Sequence, residues 1–173
     1  MQHVSSIRAV TDINAVEATA PKTTTVINPF ADLPNLASAN AGARVLFATD
    51  EWFARADNLI QDSEPHFDPD AYCTQGKVMD GWESRRRREA GHDWCIVKLA
   101  AKAELVGVQL DTAFFMGNNA PAVSLQVANL TCAEESALVS QFPRALERLL
   151  HGGVQGTGCT PEEVQQAEAA CWT

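Results

Sequence analysis

Residues 95–100 have the sequence CIVKLA, a short apolar run with the length and composition of a buried β-strand. A similar run, ARVLFAT, occupies residues 43–49, and a further candidate strand covers residues 123–127. Polar loops that contain proline, glycine and asparagine separate these runs, which is typical of all-β folds with short strands. The sequence therefore predicts a mainly β protein whose strands form a β-sandwich.

The most regular alternation of apolar residues lies at residues 106–114. Val106, Val108 and Leu110 occupy every second position, which is the period of a strand with one buried face. Gly117 and two asparagines then provide a turn signal. We therefore expect a fourth strand at residues 106–114, with the charged segment before residue 95 looping at the end of the sandwich.

The residue pattern divides the chain into three regions. Residues 1–34 show no clear periodicity and predict a flexible N-terminal extension. Residues 35–130 contain the candidate strands, whereas residues 131–173 change to helical patterns. The candidate helices cover residues 134–141, residues 144–150 and a segment that begins at Thr160, where TPEE forms a capping box.

Charge and hydropathy exclude several classes of partner. The chain has 173 residues, of which 20% are charged, and a formal net charge of −9. An acidic chain is a poor ligand for nucleic acid and for anionic lipid. The sequence contains no apolar run near the roughly 20 residues that span a bilayer, and its start lacks the pattern of a secretory signal. We expect a cytoplasmic protein with no nucleic-acid or membrane partner.

The cysteines and histidines lack the spacing of known metal and disulfide motifs. The five cysteines form no C-x-x-C pair, and the four histidines form no H-E-x-x-H motif. An odd count without paired spacing argues against a disulfide framework and against structural zinc. The sequence therefore predicts reduced thiols, no metal site and no cofactor.

Residues 77–94, KVMDGWESRRRREAGHDW, hold the densest group of charged and aromatic side chains. One interpretation is a solvated loop whose tryptophans pack at the edge of the sandwich, because charged runs are usually exposed. A second is a nucleic-acid patch formed by the four arginines, which the acidic balance of the chain disfavours. The third is a catalytic or binding site.

This segment resembles the signature of the allantoicase family. Three more segments resemble that family in the same order: VLFATDEWFARADNLI at residues 45–60, GVQLDTAFFMGNNAPAVSLQ at residues 107–126, and GCTPEEVQQAEAAC at residues 158–171. The resemblance covers about residues 35–172. It implies a jelly-roll-like sandwich of the galactose-binding type and hydrolysis of allantoate to ureidoglycolate and urea in purine breakdown.

The chemistry of allantoate, a carboxylate with two ureido groups, indicates which residues at the positions that match the family contact it. A carboxylate is best bound by a planar bidentate donor, so Arg85 and Arg86 are the candidate ligands. The ureido N–H groups need acceptors. The matching candidates are Asp80, Glu83, Asp111 and Asn118.

Release of urea requires a proton donor for the leaving nitrogen. His92 is the candidate acid because its unperturbed pKa lies near neutrality, and Asp93 or Glu83 is expected to orient it or to act as the base. The alternative is that His92 is structural and holds the loop. Asp50, at the end of the first strand, is either a site carboxylate or a loop cap.

The family pattern continues beyond the residues of this chain, so we expect an incomplete sandwich with impaired stability and activity. The alternatives to an enzyme are a ligand-binding domain without catalysis and a remnant that associates with a full-length allantoicase. Assembly into a homo-oligomer is a further expected option.

Overall fold

The computed structural model describes residues 3–12, 30–88, 90–141 and 165. Its strands, numbered in chain order, are β1 (His3–Asp12), β2 (Arg44–Ala48), β3 (Tyr72–Cys73), β4 (Gly76–Lys77), β5 (Asp93–Glu104) and β6 (Ala122–Ala128). Its helices are a short 3₁₀ helix (Ala56–Ile60) and α1 (Cys132–Gln141). The prediction of a mainly β protein is confirmed.

The strands form one four-stranded antiparallel sheet with the order β2-β5-β1-β6, and β3 and β4 form a separate small hairpin. β5 is the longest strand and pairs on both sides, with β2 and with β1. Its residues Trp94, Cys95 and Ile96 are fully buried. Burial of a large apolar side chain typically stabilises a fold by about 1.5–3 kcal/mol, so β5 and its neighbours form the core.

The core continues from β5 into β2 and the 3₁₀ helix. The rings of Phe47 and Trp94 lie 4.6 Å apart between their centroids, a distance at which aromatic pairs attract. Ala56 and Ile60 of the 3₁₀ helix belong to a different cluster, in which they pack with buried residues of β2 and β5 such as Ala48 and Cys95. The end of β2 is thus fixed by packing on two sides, and the candidate site begins at this end.

Three of the predicted strands and one predicted helix are confirmed. Residues 43–49, 95–100 and 123–127 correspond to β2, β5 and β6, and residues 134–141 lie within α1. Thr131 and Glu134 cap that helix reciprocally, since each backbone N–H donates to the other side chain. The helices predicted at residues 144–150 and after Thr160 lie outside the described residues, apart from Gln165.

The prediction of a flexible extension over residues 1–34 is wrong for residues 3–12, which form β1. This strand pairs with β5 and with β6, and Ile7 is opposite both Val97 and Val127. β-branched residues favour extended backbone, but two adjacent serines interrupt the alternation that would have identified the strand. Residues 13–29 lie outside the described residues.

The prediction of a strand at residues 106–114 is also wrong. The segment is irregular, and Val106 is 69% exposed. A strand needs a partner for its backbone N–H and C=O groups, and no described strand pairs with this segment. The ring of Phe30 lies against Gly107 instead, and Phe114 has a left-handed φ of 67°, which ends the extended run.

Candidate functional site

The charged segment is hydrogen-bonded to the chain that leaves β2. Ala54 and Glu83 form an antiparallel bridge, in which each backbone N–H donates to the carbonyl of the other residue at 3.1–3.2 Å. The N–H of Phe53 also donates to the Glu83 carbonyl. Residues 82–85 therefore have a fixed register against residues 50–54, although neither segment is part of the main sheet.

Asp50 is the buried acceptor on which this segment converges. Its Oδ1 accepts the backbone N–H groups of Trp52 at 2.9 Å and Arg85 at 3.2 Å. Its Oδ2 accepts Nε of Arg85 at 2.6 Å and lies 2.5 Å from Nη2 of the same guanidinium. The Asp50 carbonyl accepts Nε1 of Trp82 at 2.7 Å. One residue thus holds both ends of residues 82–85.

Arg85 completes this arrangement at the surface. Its side chain is 45% exposed while the Asp50 carboxylate is almost fully buried. The guanidinium carbon lies 5.1 Å from the centroid of the Trp52 ring, which adds a cation–π contact. The Nε and Nη2 atoms of Arg85 therefore both bind the Asp50 carboxylate.

A second carboxylate, that of Asp93 at the start of β5, also accepts several hydrogen bonds. Oδ1 accepts the Thr49 hydroxyl at 2.9 Å and Nη2 of Arg87 at 3.3 Å, and Oδ2 accepts the Ser84 hydroxyl at 3.1 Å. The backbone N–H of Trp94 in turn donates to the Thr49 hydroxyl. Asp93 therefore ties the charged segment to the ends of β2 and β5.

A cavity of about 320 Å³ opens beside Glu83. This volume is within the range of small-molecule sites, which are about 300–1,000 Å³. The residues that line it come from four segments: Phe53, Phe67, Gly76, Lys77, Met79, Glu83, Phe114, Met116 and Asn118. The lining is mostly apolar and includes one carboxyl, one ammonium and one amide group, which is the usual composition of a pocket for a small polar ligand.

Aromatic contacts hold the part of the cavity lining formed by Phe67 and Phe114. The rings of Phe67 and Phe114 are stacked with their centroids 5.7 Å apart. The Lys77 ammonium lies 4.9 Å from the centroid of Phe67 and 5.5 Å from that of Tyr72. Phe115 packs against Gly81, where an added Cβ would lie 2.5 Å from a ring carbon. Residue 81 must therefore be a glycine for the Phe115 ring to pack in this position.

The environment of Glu83 favours proton transfer. Burial raises the pKa of its carboxyl above the usual value of 4.5, because desolvation disfavours the charged form. A carboxyl with a raised pKa holds its proton closer to neutral pH and is a better general acid than an exposed one. Glu83 is the carboxyl residue among those that line the cavity.

The other residues predicted to form the site lie in different settings. Asn118 lines the cavity with Glu83. Asp80 accepts the backbone N–H of His66, and Asp111 accepts that of Ala113 at 2.8 Å. Asp80 and Asp111 therefore each accept a hydrogen bond from the backbone of a loop.

The predicted charged groups Arg85, Arg86, His92 and Asp93 lie away from the cavity lining. Arg85 and Asp93 are held in the two ion pairs described above. Arg86 is exposed and His92 is half-buried. Neither of their side chains lines the cavity or has an ion pair with any residue in the described ranges.

Sequence reasoning missed Lys77, Phe67 and Met79 as cavity residues. Lys77 and Met79 belong to the charged segment, and their nearness to Asp80 and Glu83 is the signal that marks them. Phe67 carries no such signal, because it reaches the cavity through a proline-rich loop.

Within the described ranges, no group of three or more His, Cys, Asp or Glu side chains is arranged to hold a metal ion. The helices in those ranges are all too short or too polar to cross a membrane.

The family model and the curated relatives that match the chain indicate one family. The model of the "Allantoicase repeat" matches residues 34–167. A probable allantoicase of Rhizobium meliloti is 48% identical over 95 residues, which are 55% of this chain and 28% of the relative. Another, of Ralstonia nicotianae, is 48% identical over 101 residues, or 58% of this chain and 30% of the relative.

A third similar protein is a probable allantoicase of Pseudomonas paraeruginosa, 43% identical over 61% of this chain and 31% of the relative. The chain thus matches less than a third of the length of these curated relatives. No solved structure matches the chain.

Proposed function

The chain belongs to the allantoicase family, and from that premise we propose that it binds allantoate in the cavity beside Glu83 and hydrolyses it to ureidoglycolate and urea. The observation that carries the proposal is the meeting of Glu83, Lys77 and Asn118 in one largely apolar cavity of about 320 Å³. These three groups match the three needs of the substrate: an acid, a cation and a hydrogen-bonding partner.

The carboxylate of allantoate is the first recognition element. The Lys77 ammonium provides a positive charge at the cavity, and its position over Phe67 orients it. Arg86, exposed nearby in the chain, is a second proposed ligand for the same carboxylate. An ammonium or guanidinium paired with a carboxylate gives a charge-assisted hydrogen bond, about twice as strong as a neutral one.

The ureido groups are the second recognition element. The Asn118 amide can accept a ureido N–H and donate to a ureido carbonyl. The apolar side chains of Phe53, Met79 and Phe114 cover the remaining surface.

The proposed reaction breaks the bond between the central carbon and one ureido nitrogen. Protonated Glu83 donates its proton to that nitrogen, urea leaves, and water forms the new C–O bond. The proton released from the water returns to the Glu83 carboxylate, so the products are ureidoglycolate and urea. His92 and Asp93 remain proposed contributors to this proton transfer from outside the cavity.

The wider architecture and setting are also proposals. The antiparallel four-stranded sheet and its buried face support one layer of a galactose-binding-type sandwich. The acidic composition supports the absence of a nucleic-acid partner, and the unpaired spacing of the cysteines supports a cytoplasmic setting. Association with another copy, or with a full-length allantoicase, is also proposed.

The test measures urea release from allantoate together with calorimetric binding of allantoate. We expect Glu83→Gln to lower kcat by roughly a hundredfold or more, which is the usual contribution of a general acid. Glu64→Gln, the same change at an exposed residue, is the matched control and should leave the rate unchanged. Lys77→Gln should raise KM about tenfold, whereas Lys102→Gln, exposed on β5, should not.

Two results would contradict the proposal. Binding of allantoate without release of urea would identify a ligand-binding domain instead of an enzyme. Full activity of Glu83→Gln would show that the acid is another residue.

A further inference from the structure

We infer that Asp50 and Arg85 are positioning residues for Glu83, and that Arg85 holds the catalytic segment in place instead of binding the substrate carboxylate. This inference rests on the proposed function of the Glu83 cavity. It assigns a role to an ion pair between a buried carboxylate and a partly exposed guanidinium, which lies outside the cavity lining.

The first support is the saturation of the Asp50 carboxylate. It accepts two backbone N–H groups and two guanidinium nitrogens within 3.2 Å. A buried carboxylate is costly unless it is paired and hydrogen-bonded, and this set of donors meets that need. Displacing Arg85 toward a ligand would leave Asp50 buried with its largest charge partner removed.

The second support is the placement of these bonds on either side of Glu83. Trp82, directly before it, donates its indole N–H to the Asp50 carbonyl, and Arg85, two residues after it, is bound to the Asp50 carboxylate. The backbone of Glu83 itself pairs with Ala54. Three attachments within four residues fix the backbone from which the Glu83 side chain extends into the cavity.

The third support is the rigidity of the anchor. Asp50 lies two residues after the end of β2, and Phe47 and Ala48 at that end are fully buried. A charged group next to a packed strand end moves little, because protein interiors are densely packed. The acid is thereby held at a fixed distance from the cavity walls, and a misplacement near 1 Å can cost about a hundredfold in rate.

The test compares Asp50→Asn, Arg85→Gln and the double variant by steady-state kinetics of urea release. We expect each single variant to lower kcat about 10- to 100-fold while KM changes less than about threefold. The double variant should be no worse than either single variant, because both remove the same interaction. Arg55→Gln removes an exposed ion pair with Asp57 and should leave both constants unchanged.

The opposite pattern would overturn the inference. If Arg85 bound the substrate directly, Arg85→Gln would raise KM tenfold or more at unchanged kcat, and Asp50→Asn would leave kcat intact. Arg85→Gln carries the test alone if Asp50→Asn does not fold, since the Arg85 side chain is already 45% exposed. Circular dichroism distinguishes a folded variant from an unfolded one.

A second measurement separates this inference from the proposed function. If the wild-type chain neither binds allantoate nor releases urea, the proposed function fails. The carboxyl ¹³C shift of Glu83 can still be followed against pH by NMR. In Arg85→Gln the titration midpoint should fall toward that of an exposed glutamate, because the segment is released into solvent. A midpoint equal to that of the wild type would overturn the positioning role.

Discussion

The two sides of the cavity are held by different kinds of interaction. We define the Glu83 wall as residues 82–85, of which Glu83 lines the cavity, and the Phe114 wall as residues 114–118. The Glu83 wall is attached to the residues that follow β2 by backbone hydrogen bonds and by the ion pair between Asp50 and Arg85. The Phe114 wall is held by ring contacts with Phe67 and Gly81, and its Met116 is 91% exposed.

This difference indicates a division of roles. Hydrogen bonds and ion pairs are directional and fix atoms to a narrow range of positions. Contacts between rings tolerate sliding and tilting. We therefore expect the Glu83 wall to govern the chemical step and the Phe114 wall to govern entry and fit of the substrate.

The largest effect should come from removing the anchor of the Glu83 wall. Asp50→Ala leaves the Arg85 guanidinium and two backbone N–H groups without their acceptor. We expect a loss of about 3 kcal/mol in the free energy of unfolding, at the lower end of the range for buried pairs because Arg85 is partly exposed. Guanidinium unfolding measures this, and Arg55→Ala, at a surface ion pair, should cost less than about 1 kcal/mol. If Asp50→Ala and Arg55→Ala lost the same free energy of unfolding, the Asp50–Arg85 pair would contribute no more to stability than the surface pair.

A smaller effect is expected where the two walls meet. Gly81→Ala places a methyl group 2.5 Å from the Phe115 ring, so the ring must move. Overpacking of this kind typically costs about 1–3 kcal/mol. The second substitution Phe115→Leu should restore part of the stability lost in thermal unfolding. No recovery in the double variant would show that the cost arises elsewhere.

A still smaller effect on stability is expected at Phe114. Its left-handed φ of 67° costs a non-glycine residue about 1–2 kcal/mol, whereas its stacking on Phe67 contributes about 0.5–1.5 kcal/mol. Phe114→Gly removes both the cost of the left-handed φ and the gain from stacking. These two changes oppose each other, so the free energy of unfolding should change by less than about 1 kcal/mol. Calorimetry should nevertheless show weaker binding of allantoate, and unchanged binding would exclude the Phe114 wall from substrate fit.

The smallest effect concerns the dependence of stability on pH. Because burial raises the pKa of Glu83, the folded state binds more protons than the unfolded state between 4.5 and that raised pKa. Stability from this group therefore increases as pH falls through the raised pKa, and levels off below 4.5. Glu83→Gln should lack this increase, and identical pH profiles for both proteins would contradict it.

The sequence predicts those elements whose pattern is local. β2 and β5 are recognisable because each is a short apolar run with buried residues on both faces. β1 could not be predicted in the same way, since its pairing with β5 and β6 depends on residues about 90 and 120 positions away. Residues 106–114 show the converse, because alternation without a partner strand does not make a strand.

The candidate site was predictable in part for the same reason. Glu83 and Asn118 belong to segments with a recognisable pattern, and both line the cavity. The role of Arg85 could not be predicted, because its partner Asp50 lies 35 residues earlier and only the fold brings them together. Charge content alone does not distinguish an arginine that binds a ligand from one that holds a loop.

We propose that Glu83 is the acid of a cavity that hydrolyses allantoate. This proposal is tested most directly by the pH dependence of kcat/KM for urea release, measured for the wild type and for Glu83→Gln. We expect the wild type to show an ionisation above 4.5 that is absent from the residual activity of Glu83→Gln. An unchanged rate with the same ionisation in Glu83→Gln would contradict it.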